Sequence, residues 1–507
     1  MRNLFGKYKY LFGLLSFYFL FRLINLTTIS IFNDEAIYLD WGWRELHRGV
    51  LFYSLLDAKQ PLLMWLFGLS EGIFNDQLFA GRVVSVVAGL LSLLGVYYIG
   101  KDFFSEKIAR ISALFYIIVP IFSFFDRQAL MESSVAAGEI WAVYLFMKLR
   151  KKHSIKMAVL LGLVLGISFF VKFTILLLLI SACVTFLVNM RFKNENKKFV
   201  WDMIIAFITS QIVLIPIYFQ TQFWQTLPSN SRYTMGIRDL LGFPILAWLL
   251  NLWGFLQVSF WQLTPLVAIA MLVGIVLIMR SDRKEQKLIA WIFLIQVLVF
   301  ILVAKDVNAR YVMPMLPLSL LFIGVAVLHF VKWSKVFMLI LIIAPIYFTC
   351  LQILQPFTYF DQLQSLTTYS QRADYTTNST GGYAVTQAVN YLQSIGVYAA
   401  VIAVRLDTGN PENAIFTYFH NSSTELPTFL EARIIANEAS YQCLYYRVPV
   451  YFVSRDYQLA GLKRFLQEEQ RFYNPGNLSS VGIYVFKPSC KGNTLDLSTP
   501  GAILQPR

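Results

Sequence analysis

The chain has 507 residues, 57% of them hydrophobic and only 14% charged, with a formal net charge of +14. A soluble globular protein carries about 25% charged residues, so this balance, with a mean hydropathy of +0.58, excludes an ordinary soluble domain and points to lipid. The positive charges punctuate long apolar runs, which makes them loop charges at a membrane and argues against nucleic acid as a partner.

A helix needs roughly 20 mainly apolar residues to cross a bilayer. In chain order the runs that approach this are 10–31, 83–99, 111–125, 133–147, 157–171, 173–190, 201–219, 263–279, 288–304, 311–330 and 336–354. They predict about eleven spans. The first run follows basic residues and lacks a small-residue cleavage site, so it reads as a retained helix rather than a cleaved signal. Residues 157–190 admit either two short spans meeting at Lys172 or one long helix. Alternate short loops are strongly basic, with Lys101, Lys107 and Arg110 in one, Lys148 to Lys156 in another, and Arg280 to Lys287 in a third. By the positive-inside rule these loops are cytoplasmic, the N-terminus is inside and the C-terminal region is outside. Residues 238–260 are apolar enough to span, but a crossing there would invert the basic loop at Arg280. That segment is therefore expected to be an outer interfacial or re-entrant helix, rich in interface-seeking Trp.

From residue 355 the composition becomes that of a soluble domain of about 130 residues, enough for its own core. The runs 397–404, 448–453 and 481–486 are β-branched and aromatic and predict strands. Helices are expected over 383–395 and 457–469 and after Asn410, Pro411 and Glu412, where Asn caps and Pro opens the first turn. The fold class expected is an all-α polytopic membrane protein over 1–354, with a small extracytoplasmic α/β domain over 355–507. Cys183 and Cys350 lie in apolar segments and read as buried residues; Cys443 and Cys490 are free to pair if their region is extracytoplasmic. No metal-ligand spacing links Cys and His.

Ionisable groups collect on the expected outer side: the first outer loop, 32–82, with Asp34, Glu35 and Lys59; a short turn with Arg127 and Glu132; Lys172 at a helix junction; and Lys305, Arg310 and Tyr311 in a fourth segment. Such groups at membrane depth are costly and by default functional. A lipid-linked sugar donor leaves behind a phosphate that Lys and Arg bind, and an acceptor hydroxyl needs a carboxylate to take its proton. Asp34, Glu35 and Glu132 supply candidate carboxylates; Lys59, Arg127, Lys172, Lys305 and Arg310 supply phosphate partners. Structural roles stand beside these: a solvated helix N-terminus for Asp34 and Glu35, a helix cap for Glu132, snorkelling for Lys172, and an interfacial setting for Arg310 and Tyr311. Glu139, one heptad after Glu132, reads as a partner inside the bundle.

The Asp-Glu-Ala-x-Tyr-x-x-Trp pattern from Asp34 and the Lys-x-Pro-Leu-x-x-Trp segment from Lys59 resemble the first outer loop of GT-C membrane glycosyltransferases. The similarity is to the branch of protein O-mannosyltransferases and lipid A aminoarabinose transferases. Arg127 to Glu132 (RQALME) is similar to that family's second acidic site, and Arg310 to Pro317 (RYVMPMLP) to its Arg-Tyr-x-x-Pro-x-x-Pro element. The resemblance covers roughly residues 20–355. It implies a GT-C fold, an undecaprenyl- or dolichyl-phosphate sugar donor, a lipid, glycan or protein acceptor, and inverting transfer outside the cytoplasm. It also implies Asp34 as the leading carboxylate, Glu132 as the second, and Lys59 and Arg310 near the donor phosphate. The chain departs from the pattern at Ala58, where the family often has Glu, at Gln60, and at Glu132, where Asp is usual. Loss of the Glu removes a hard oxygen ligand, and a divalent cation at Glu132 stays open. The competing class is a membrane transporter or lipid flippase, whose polar sites tend to lie near the midplane between repeats. Here the charges gather at one interface.

Overall fold

The computed structural model describes residues 2–189, 194–330, 334–366, 371–396, 401–404, 409–419, 428–431, 450–455 and 466–486. They divide into two compact units, one of residues 1–26, 49–66 and 81–370, the other of 27–48, 67–80 and 371–507. Helices are numbered here in chain order. They are α1 (Arg2–Leu23), α2 (Asn33–His47), α3 (Leu62–Glu71), α4 (Gln77–Ile99), α5 (Glu106–Ile118), α6 (Pro120–Asp126), α7 (Glu132–Lys151), α8 (Ile155–Val171) and α9 (Ile175–Asn189). There follow α10 (Asn194–Tyr218), α11 (Ile245–Gln262), α12 (Pro265–Arg280), α13 (Lys284–Val303), α14 (Ser319–His329), α15 (Ser334–Leu354), α16 (Tyr383–Ser394) and α17 (Glu412–Phe419).

In the first unit every one of the apolar runs contains a helix. Five described segments are long and apolar enough to cross a membrane: Gln77–Phe104, Lys197–Tyr218, Lys284–Val303, Ala309–His329 and Lys335–Leu354. Two bent pairs, α5 with α6 (63°) and α11 with α12 (116°), raise this to seven if each is one span. Shorter apolar helices, α8 and α9 among them, account for other runs. The segment expected to be interfacial or re-entrant is α11, which turns back sharply into α12. Residues 157–190 resolve into two helices, broken at Lys172. Serine side chains start the helices on the basic side: Ser105 accepts from the Ile108 amide and Ser154 from the Met157 amide, satisfying donors a first turn leaves open. Where backbones meet, small residues are required. A Cβ on Gly274 of α12 would lie 1.9 Å from the Phe322 carbonyl oxygen of α14.

The α5–α6 bend has a local cause. Pro120 has no N–H to offer the carbonyl one turn earlier, that of Tyr116. The guanidinium of Arg22 replaces it, donating to the Tyr116 oxygen at 3.1 Å and the Ile117 oxygen at 2.9 Å. The same guanidinium pairs with Asp126 at 3.0 Å, both groups fully buried. Asp126 also accepts from Tyr18, Tyr116 and Ser133, so the turn between α6 and α7 is pinned on both sides.

The second unit holds a five-stranded sheet, β1 (Val401–Val404), β2 (Thr428–Glu431), β3 (Val450–Ser454), β4 (Leu466–Tyr473) and β5 (Ser480–Phe486), in the order β2-β1-β3-β5-β4. The β1 pairings are parallel and the β5 pairings antiparallel. The expected helices over 383–395 and after Pro411 are present as α16 and α17. The helix expected over 457–469 is not: residues 466–469 belong to edge strand β4, and the preceding ones lie outside the described residues. Gln and Glu favour helix on propensity, but pairing with β5 decides the matter, and a charged edge strand resists further pairing. Cys443 and Cys490 also lie outside the described residues.

Candidate active site

The first unit brings four of the expected residues together. Glu132 opens α7, fully buried. Its Oε1 accepts from the Lys172 ammonium at 2.9 Å and from Arg310 Nε at 3.3 Å. Lys172 lies in the break between α8 and α9 and stands 5.4 Å from the ring centre of Tyr311. Arg310 is positioned by Asn308, whose side chain accepts from the Arg310 amide at 3.0 Å and so starts the turn that carries Arg310 and Tyr311. Among the described residues Glu132 Oε2 is buried with no hydrogen-bond partner. One carboxylate thus gathers two cations and keeps a buried acceptor oxygen to spare.

Tyr233 links this cluster to Lys59. Its ring centre is 6.2 Å from that of Tyr311, and its hydroxyl accepts from the Lys59 ammonium at 3.4 Å. Lys59 follows Ala58, whose backbone is left-handed at φ 59°, an uncommon state for a residue with a Cβ. The stretch carrying Tyr233 is tied down on two sides. Arg232 pairs with Asp57 at 3.0 Å, and Lys305 donates to the Ser231 carbonyl at 2.7 Å. The Asp57 carboxylate holds the Arg232 guanidinium above its ordinary value. Lys305 is thus a brace for this stretch. Tyr233 was not among the residues the sequence singled out, because a lone aromatic in a polar loop carries no spacing signal.

Arg127 is not brought to this cluster. It is buried and donates to the carbonyls of Phe21, Arg22, Ile24 and Asn25 at 2.7–3.2 Å. It satisfies the orphan oxygens at the C-terminal end of α1.

Asp34 and Glu35 belong to the second unit, in the first turn of α2. Glu35 is fully buried and its Oε2 accepts from the Phe32 amide at 2.9 Å, the reciprocal half of a helix cap. Asp34 is half-buried, at the electropositive end of the helix. The α2 helix is clasped by the stretch before and into α17. Asn33 accepts from the Asn410 amide at 2.7 Å, Asn410 donates to the Ile31 and Thr380 carbonyls, and Asn413 donates to Asp40 at 2.7 Å. Asp40 is further paired with Arg44 at 2.7 Å.

Among the described residues no three His, Cys, Asp or Glu side chains converge on a point. Glu132 faces two cations, a setting that repels a divalent ion, so this cluster does not fit one.

Three comparisons bear on this arrangement. Residues 58–216 match the family described as dolichyl-phosphate-mannose-protein mannosyltransferase. The lipid A galacturonosyltransferase RgtD of Rhizobium johnstonii is 22% identical over 297 residues, 57% of this chain and 58% of that protein. The chain thus spans rather more than half the length of this curated relative. Among solved structures, ArnT from Cupriavidus metallidurans in the apo state matches with a TM-score of 0.61 at 12% identity, over 97% of this chain and 100% of that one. The same protein bound to undecaprenyl phosphate gives 0.57 at 12% identity, over 96% and 98%. The Archaeoglobus fulgidus oligosaccharyltransferase tethered with an acceptor peptide gives 0.52 at 14% identity, over 96% and 75%. The chain has a membrane-protein fold of the GT-C type. Within that class it is similar to the protein O-mannosyltransferases by its matched residues and to ArnT across its whole fold.

Proposed function

We propose that the protein transfers a sugar from a polyprenyl-phosphate donor to an acceptor hydroxyl, with inversion, at the outer face of the cytoplasmic membrane. The observation that carries this reading is the cluster of Lys172 and Arg310 around Glu132, flanked by Tyr311, Tyr233 and Lys59. An ArnT structure binds undecaprenyl phosphate, which supports a lipid-linked donor. Arg310 and Lys59 take the donor phosphate, the former as a planar fork and the latter as a point charge. The Glu132 carboxylate holds both Lys172 and Arg310 in place, and its second oxygen is available to a donor or acceptor hydroxyl. In the transfer step the acceptor oxygen attacks the anomeric carbon as the bond to the phosphate oxygen breaks. The polyprenyl phosphate departs as an anion and needs no proton. The acceptor proton passes to a carboxylate, for which Asp34 is the candidate. Membrane lipids surround the site, and the acceptor is a lipid, glycan or protein.

Binding of undecaprenyl phosphate to purified protein tests the phosphate assignment. Arg310→Ala and Lys59→Ala are each expected to weaken it by at least about tenfold, as loss of a charged hydrogen bond does. Affinity unchanged in both variants would remove the assignment.

A further inference from the structure

The helix ends that carry Lys107, Arg110 and Lys335 enclose a second feature, remote from the cluster just described. A cleft of about 270 Å³ lies among the first two turns of α5, the end of α14 and the start of α15, entirely within the first unit. Glu132 and Arg310 are met beyond the opposite ends of these same helices. Three of the lining residues are the cations Lys107, Arg110 and Lys335, none is acidic, and the rest are apolar, among them Leu114, Val327 and Met338. Arg110 is braced by Glu106 at 3.1 Å, and Glu106 in turn accepts from Tyr97 at 2.6 Å. Lys107 and Lys335 stand in the first turns of α5 and α15, where the helix dipole favours an anion. The walls are held by close packing: the Ser112 hydroxyl donates to the Leu320 carbonyl at 2.9 Å.

We propose that this cleft is a binding site for one anionic phospholipid, its phosphate between Lys107, Arg110 and Lys335 and the upper part of an acyl chain on the apolar wall. Two facts argue for this occupant. A soluble anion would be served by the three cations alone and would leave the apolar wall wetted. A zwitterionic lipid would bring its own cation against three others. A basic cleft at the end of a span is the arrangement by which anionic headgroups are recognised. The site rests on the membrane reading of the chain but not on its activity.

The test is lipid binding to the full-length protein in nanodiscs of phosphatidylcholine doped with phosphatidylglycerol, read as retained lipid by native mass spectrometry. Nanodiscs expose both faces, so the result does not depend on which way the chain is inserted, and it is read without turnover. Wild type is expected to retain one phosphatidylglycerol in preference to phosphatidylcholine. Lys107→Gln with Lys335→Gln is expected to lower that retention at least fivefold, while Lys152→Gln with Lys156→Gln on neighbouring basic helix ends leaves it unchanged. Met338→Trp, which fills the wall and keeps every charge, should also displace the lipid and serves if the double variant does not fold. Retention unchanged in the first pair and in Met338→Trp, equal loss in the control pair, or displacement of the lipid by millimolar inorganic phosphate would each overturn the proposal.

Discussion

Neighbouring residues in one motif turn out to have separable roles. Asp34 and Glu35 are adjacent acids; the residues alone display both as candidates, and it is the family resemblance that puts Asp34 first. Burial and hydrogen bonding separate the two: Glu35 is fully buried and bonds the Phe32 amide, while Asp34 is half-buried in the same turn. Glu35→Ala is therefore expected to cost about 1 kcal/mol of stability, as loss of a cap does. Turnover per folded molecule should stay near that of wild type, because the proton-transfer group is kept. Thermal unfolding in detergent beside an activity assay measures both; an unchanged midpoint with turnover lost would exchange the roles of the two acids. Arg127 and Glu132 make the same point. Both open the same helix junction, yet one guanidinium closes the end of α1 and the carboxylate gathers Lys172 and Arg310. Lys172 was legible because a cation at a span junction is unusual. Tyr233 was not, because its role depends on contact with Lys59 and Tyr311, residues far away in the chain.

At the scale of elements, apolar length was the most readable signal. Each predicted run contains a helix, the arrangement that satisfies the backbone polar groups of an apolar run within the run itself. What length does not display is where a helix bends. Pro120 marks the α5–α6 break in the sequence, but the angle is held by Arg22 and Asp126, from helix ends about a hundred residues apart. This pair also fixes Ser133 beside Glu132, so it positions the start of α7. Asp126→Asn leaves the buried Arg22 without a charge partner, which typically costs about 3–5 kcal/mol. The expected result is a large drop in the unfolding midpoint, with Arg22→Met and Asp126→Leu together recovering part of it. An Asp126→Asn midpoint equal to wild type would show that the pair does not hold the bend. The strand β4 marks the limit of local reading in the soluble part. Its LQEEQRFY run has helix-forming residues, and only the neighbouring strand makes it extended.

For the whole molecule, composition along the chain changes at residue 355, whereas the second compact unit also takes in residues 27–48 and 67–80. Those stretches are joined to it by hydrogen bonds such as Asn410 to Asn33 and Asn413 to Asp40, contacts across more than 370 residues that no window of sequence can display. The basic loops predict an N-terminus on the inside, and impermeant thiol labelling of intact cells checks this. A cysteine at Gly381 should label and one at Lys152 should not; the reverse would turn the orientation over.

The central claim is sugar transfer from a polyprenyl phosphate with Asp34 as the base. Purified protein incubated with a panel of undecaprenyl-phosphate sugars and candidate acceptors, scored for release of free undecaprenyl phosphate, measures it directly. At least one donor is expected to be consumed in an acceptor-dependent way. Asp34→Asn, which keeps size but removes the charge, should release it at least about 100-fold more slowly while still binding donor. Equal release by wild type and Asp34→Asn, or no release from any donor on the panel, would contradict the account.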